Sequence, residues 1–161
     1  MSASARRELL ERCEELIKSY NPSRTTLDSH ALIKLGDTES KGASDENVFV
    51  KQVLYGVVRY KDALKSFMSC FFSDMSARVL RSDYTLYMIL AFLAIFRLKE
   101  LGVAEFRKFA LAIDPDKMMS FLEYVFDVER LRRAGVVREW LKSFDLGVSR
   151  ARARCVRWGS R

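Results

Sequence analysis

The residues able to do chemistry in this 161-residue chain are few and scattered. The one histidine, His30, sits in LDSHALIKL beside Ala31 and Leu32, in a segment with helical spacing. A lone imidazole cannot assemble a His-rich metal site, and these neighbours make it a packed or half-exposed helix residue rather than a general base. Cys13, Cys70 and Cys155 are odd in number, far apart and without a C-x-x-C pair. That spacing builds neither a disulfide framework nor a zinc site, and it fits reduced thiols in a cytosolic compartment. Carboxylates are numerous, but Glu8, Glu11, Glu14 and Glu15 interleave with Arg12 and Lys18, as on a solvated helix face. The seven glycines form no G-x-G-x-x-G or Walker loop to cradle a phosphate. The inventory points away from an enzyme, and no cofactor or metal is expected.

Charge is the next candidate for function. The net charge of +7 invites a nucleic-acid or acidic-surface reading. By position it is concentrated: every charged residue after Gly147 is an arginine, namely Arg150, Arg152, Arg154, Arg157 and Arg161. Of the 28 basic residues, 23 remain before that point against all 21 acidic ones, a balance of only +2. Alternating Arg and small residues cannot build a core, so 147–161 reads as an Arg-rich tail, disordered unless bound. It could attach to phosphates or to a carboxylate-rich filament such as tubulin or a microtubule-associated scaffold, although a solvated terminus, or the end of a truncated or differently spliced product, is the slightly favoured reading. The body lacks a basic stripe, an RNP-type motif and zinc-ligand spacing, so specific nucleic-acid readout is not expected. Trp140 and Phe144, near the end of the folding region, either cap its last hairpin or receive a partner segment.

The elements that must position these residues follow from periodicity. Apolar residues recur at steps of three and four nearly throughout, and no strand pattern appears. Leu9, Cys13, Leu16, Ile17 and Tyr20 form a first stripe, with Ser2 or Ser4 able to cap its start and Asn21-Pro22 to stop it. A short helix follows from about Thr26 to Leu35, with Gly36 free to take a left-handed C-terminal cap. GDTESKGASD, with no large apolar residue, is a linker. Beyond it, Ser44 or Asp45 caps a helix carrying Val50, Val53, Leu54, Val57 and Val58, and a break near Tyr60 to Asp62 leads to Leu64, Phe67, Met68, Phe71 and Phe72. Ser82-Asp83 announces a helix over about Tyr84 to Lys99 whose apolar character on nearly every side demands surrounding helices. Its charge-free stretch, Tyr84 to Phe96, is 13 residues, short of the roughly 20 needed to span a membrane. The N-terminal segment carries acidic residues and has no apolar h-region, so it reads as no secretory signal.

After Leu101-Gly102 come Phe106, Phe109, Ala110 and Ile113, and Asp114-Pro115 restarts a helix bearing Met118, Phe121, Leu122, Val125 and Phe126. A last helix, about Gly135 to Phe144, presents Val136, Val137, Trp140, Leu141 and Phe144. The expected organisation is an N-terminal helical hairpin (1–35), a linker (36–45), a main helical domain (46–146) and the tail (147–161). The class is all-α, with antiparallel hairpins at 46–73, 83–112 and 115–145 forming an irregular HEAT-like α-solenoid or a compact helical bundle. Such folds expose helix faces that hold other proteins.

Three segments carry a further signal: VLYGVVRYKDALKSFMSCFF, LRSDYTLYMILAFLAIFRLKELGVAEFRKF and MMSFLEYVFDVERLRRAGVVREWLKSFD. Together they resemble the N-terminal helical region of the cilia- and flagella-associated protein 99 family, over about Asn47 to Asp145 and more loosely at the first helix, which ends in SYNPS. The most specific parts are the Leu80-Arg81-Ser82-Asp83-Tyr84 start and the turn from Leu98 to Phe106. The resemblance implies a non-enzymatic component of the motile ciliary axoneme, with the central apparatus favoured and other axonemal proteins as partners. It supplies no catalytic residues. Family members continue into a longer charged helical region, whereas the Arg-rich stretch after Asp145 lies outside the likeness, as expected of a short or C-terminally altered version. The alternative expectation is a nucleic-acid or acidic-surface binder acting through the arginine tail.

Overall fold

Ten consecutive residues of one helix, Leu86 to Ile95, are buried, and the remaining helices are arranged around them. The structure, a computed structural model, describes residues 1–71 and 83–113. In chain order the helices are α1 (Ala3–Ser19), α2 (Leu27–Leu35), α3 (Asp45–Arg59), α4 (Lys61–Phe71), α5 (Tyr84–Phe96), α6 (Leu98–Leu101) and α7 (Val103–Ile113). The described residues contain no strand, and the protein is all-α.

Local chemistry accounts for most helix boundaries. Ser2, Thr26 and Ser44 each hold extended backbone and accept a hydrogen bond from the amide three residues on, at 3.1, 3.2 and 3.1 Å. Each satisfies one of the amides that the first turn leaves without an intrahelical partner. Asp83 does not. It precedes α5 with φ −107° and ψ 3° and makes no capping bond, because a side-chain oxygen reaches those amides only from extended backbone. Gly36 closes α2 at φ +70° and ψ −164° while its amide donates to the Leu32 carbonyl at 2.9 Å, so glycine ends the helix at positive φ as expected but in a more extended conformation than the left-handed cap.

The helix expected to run to Lys99 ends instead at Phe96. Arg97 leaves helical geometry (φ −123°, ψ 4°), and the short α6 then carries Leu98 into the core. Gly102, at φ +87°, turns the chain into α7 through a conformation that costs a residue with a Cβ dearly. Only Tyr60 separates α3 from α4, a tighter break than the Tyr60 to Asp62 expected.

The stripes fall inward. Val50, Val53, Leu54 and Val57 of α3, Leu64, Phe67 and Met68 of α4, and Phe106, Phe109, Ala110 and Ile113 of α7 are buried in one cluster with α5. Burying each such side chain contributes roughly 1.5–3 kcal/mol before the entropy of ordering it. On α1, Leu9, Cys13 and Leu16 are buried as expected, and so are Leu10 and Arg6. The wider buried face arises because α1 packs against three helices, α3, α5 and α7, rather than one.

The seam between α1 and α7 is pinned by charge. Arg6 donates from Nε to Glu105 Oε1 at 3.0 Å and from Nη1 to the Met1 carbonyl at 2.7 Å. Its guanidinium carbon lies 5.9 Å from the Phe109 ring centroid, and Phe109 stacks on Phe49 at 5.6 Å. Arg7 closes the far end by donating to the Ile113 carbonyl at 3.0 Å. The Arg6 hydrogen bond is the main reason that the Glu105 carboxyl sits below the usual carboxylate range.

Candidate functional site: an aromatic groove

His30 and Cys13, two of the groups first considered for chemistry, are engaged in packing. His30 is buried on α2, where Nε2 donates to the Leu16 carbonyl at 3.0 Å and the ring tilts against Tyr20 at 5.4 Å. This ties α2 to the end of α1. Cys13 is fully buried, and loss of hydration pushes its thiol up to about 12, the opposite of what a nucleophilic thiolate requires. Among the described residues no three His, Cys, Asp or Glu side chains gather as a metal site would require. Nor is any helix there long and apolar enough to cross a membrane. Trp140, Phe144, Arg150, Arg152, Arg154, Arg157 and the expected 115–145 hairpin lie outside the described residues, as do Phe72 and Cys155.

Among the described residues, a concave surface lies where the ends of α3 and α5 meet the start of α2. It is a groove of about 500 Å³. Its apolar lining comes from Leu27, Tyr55, Val58, Tyr60, Phe92 and Phe96, and Gln52, Gly56, Arg59 and Arg97 complete it. Gly56 explains how the two helices come together here. Glycine inside a helix costs about 1 kcal/mol relative to alanine. At this position a Cβ would intrude into the Phe92 ring, so only a bare backbone lets that ring seat against α3. A smaller cavity of about 130 Å³ adjoins the groove and shares Gln52, Phe92 and Arg97 with it.

The aromatic side chains of the groove support one another. Tyr60 and Phe96 stack with centroids 4.1 Å apart and planes 12° apart, and Phe92 tilts against Phe96 at 5.8 Å. Arg59 places its guanidinium carbon 5.4 Å from the Tyr60 ring centroid, within cation–π range. Arg97 donates from Nη2 to Gln52 Oε1 at 3.0 Å. Neither arginine is paired with a carboxylate among the described residues. At the α2 side the Tyr55 hydroxyl donates to Asp28 Oδ1, and this bond, with lesser contributions from burial and from Asp28 and Glu39, pushes the phenol up to about 12. Tyr55 thus stays a neutral donor across the physiological range and fixes α2 to α3.

Sequence reading placed Val58, Tyr60, Phe92 and Phe96 on helical faces or at a turn without joining them into a site. The legible signal was Gly56 inside an otherwise strong helix, a residue whose presence there implies close approach of another chain segment. Chemically the groove can hold apolar side chains against aromatic faces and meet anions at its two guanidinium groups. Comparison with known proteins adds no relative: no family model, no curated protein and no solved structure matches the chain.

Proposed function

We propose that the chain is a non-enzymatic structural adaptor of the motile cilium or flagellum, residing in the axoneme with the central apparatus favoured, and that it holds neighbouring axonemal proteins on exposed helix surfaces. The observation that carries the adaptor reading is the open aromatic groove between α3 and α5, with two arginines at its rim that no carboxylate among the described residues pairs with. Large aromatic side chains and arginine are the residues most enriched where proteins bind one another. The ciliary address rests on the resemblance over Asn47 to Asp145. Packing of α1, α3, α4, α6 and α7 about the buried α5 favours a compact helical bundle over an irregular solenoid.

Proximity labelling with the full chain in motile-ciliated cells, set against non-ciliated cells, tests this reading. Enrichment of axonemal neighbours is expected, and recovery of nuclear or ribosomal neighbours alone would sink it. The five arginines after Gly147 favour a second reading, attachment to an anionic surface such as a microtubule or a nucleic acid. It requires binding that falls steeply with salt and disappears on deleting residues 148–161. Salt-insensitive binding by the truncated chain rejects it.

A further inference from the structure

From the geometry we infer that the groove between α3 and α5 binds an acidic amphipathic segment of a partner protein, one that places large apolar side chains against Phe92, Phe96 and Tyr60 and carboxylates against Arg59 and Arg97. The assignment rests on the adaptor reading and gives it a partner chemistry.

Charge complementarity selects the occupant. Among the described residues Arg59 makes no hydrogen bond or ion pair, and its guanidinium lies over the Tyr60 ring beside it. Arg97 donates there to the neutral Gln52 amide and to no carboxylate. A guanidinium carries five N–H donors in a fork that fits a carboxylate, so both residues retain donors for an incoming anion. No carboxylate lines the groove itself among the described residues. Asp28 accepts from Tyr55, and Glu100, in the lining of the adjoining cavity, forms no ion pair with Arg97. Arg59 and Arg97 do stand at the C-terminal ends of α3 and α5, where a cation complements the helix dipole. That role is a modest one and leaves their donors unspent.

Shape sets the scale of the occupant. The groove reaches from Leu27 on α2 to Arg97 after α5, and its volume of about 500 Å³ exceeds what one side chain fills. A helix presenting residues at i, i+3, i+4 and i+7 offers several apolar anchors along one line, with acids flanking them. The Tyr60–Phe96 stack offers a flat apolar surface of the kind such anchors bury against.

The test uses the full chain and two labelled peptides of roughly 18 residues, about five helical turns, with Leu and Phe at the anchor positions. One carries Glu at the remaining positions and its twin carries Lys. The Glu peptide is expected to bind at least about tenfold tighter, to weaken as salt rises, and to shift the NMR signals of Tyr60, Phe92 and Phe96. Arg59→Glu with Arg97→Glu should reverse the preference, and Arg59→Gln with Arg97→Gln should abolish it while lowering the thermal midpoint by no more than several degrees. Equal affinity for both peptides, or shifts confined to the exposed Leu32 and Ile33 of α2, would overturn the assignment. Proximity labelling with the double Glu variant separates the two readings. If the variant keeps every ciliary neighbour of the wild type, the groove assignment falls and the adaptor stands. If the wild type labels no ciliary neighbour while the peptides still discriminate, the address falls and the groove chemistry stands.

Discussion

Two seams of this molecule use the same residue types to opposite ends. Between α1 and α7, Arg6 is buried, bonded to Glu105 and to the Met1 carbonyl, and laid over Phe109. Between α3 and α5, Arg59 lies over the Tyr60 ring and Arg97 lines the same groove, and neither is paired with a carboxylate among the described residues. A guanidinium taken out of water requires partners, and Arg6 has a carboxylate and a carbonyl, so it acts as a pin. One left at a rim needs none, and it keeps its donors for something outside the chain. Arginine content alone therefore says little about binding. The supply of partners decides.

The comparison can be broken most forcefully in the packing that underlies both seams. Phe106→Ala removes a fully buried ring from α7 and should cost about 3–5 kcal/mol, read as an earlier midpoint in chemical unfolding. A cost below about 1 kcal/mol would mean that α7 is not part of the common core.

Gly56→Ala strikes the α3–α5 seam. Its Cβ would intrude into the Phe92 ring, and overpacking of about 1–3 kcal/mol outweighs the better helix propensity of alanine. Adding Phe92→Leu should recover part of the loss, and a double-mutant cycle reads that coupling. Additive effects would show that the two residues do not meet.

Smaller still is the α1–α7 pin. Arg6→Ala should destabilise by about 1–2 kcal/mol, since one partner, Glu105, is partly hydrated and screened. The Glu105 carboxyl is held below its ordinary 4.5, so its contribution is present above that pH and is lost as pH falls further. The stability difference between wild type and Glu105→Gln should accordingly be constant above pH 4.5 and shrink below it. A difference independent of pH would assign the effect to packing instead.

The smallest effect is expected at the groove rim. Arg59→Gln and Arg97→Gln should each change stability by less than about 1 kcal/mol, because they give up a helix-end interaction and no buried pair. A larger loss would make these residues structural pins like Arg6 and erase the contrast between the seams.

Much of the fold was legible in residue order. The stripes on α3, α4 and α7 and the all-round apolar α5 required a helical fold with α5 inside, since burial follows from spacing and from the shortage of polar atoms. Serine and threonine caps could be read because a capping oxygen acts within three residues of its own position. Asp83 escaped that logic: residue type is local, but the backbone angle that makes it a cap is imposed from outside the turn. The break at Arg97 escaped as well, because nothing in FRLKEL disfavours helix.

The candidate site was the least legible part. Tyr60 and Phe96 lie 36 positions apart and meet only because α3 and α5 do. The sequence by itself determined the helices, the inward faces and the concentration of charge after Gly147, all of which depend on neighbours along the chain. Tertiary structure decided which arginines are satisfied and which stand open, because a distant carboxylate reaches a guanidinium only through the packing of the helices that carry them. Arg6 and Arg59 are the same residue in the sequence; Glu105, 99 positions from Arg6, makes one of them a pin.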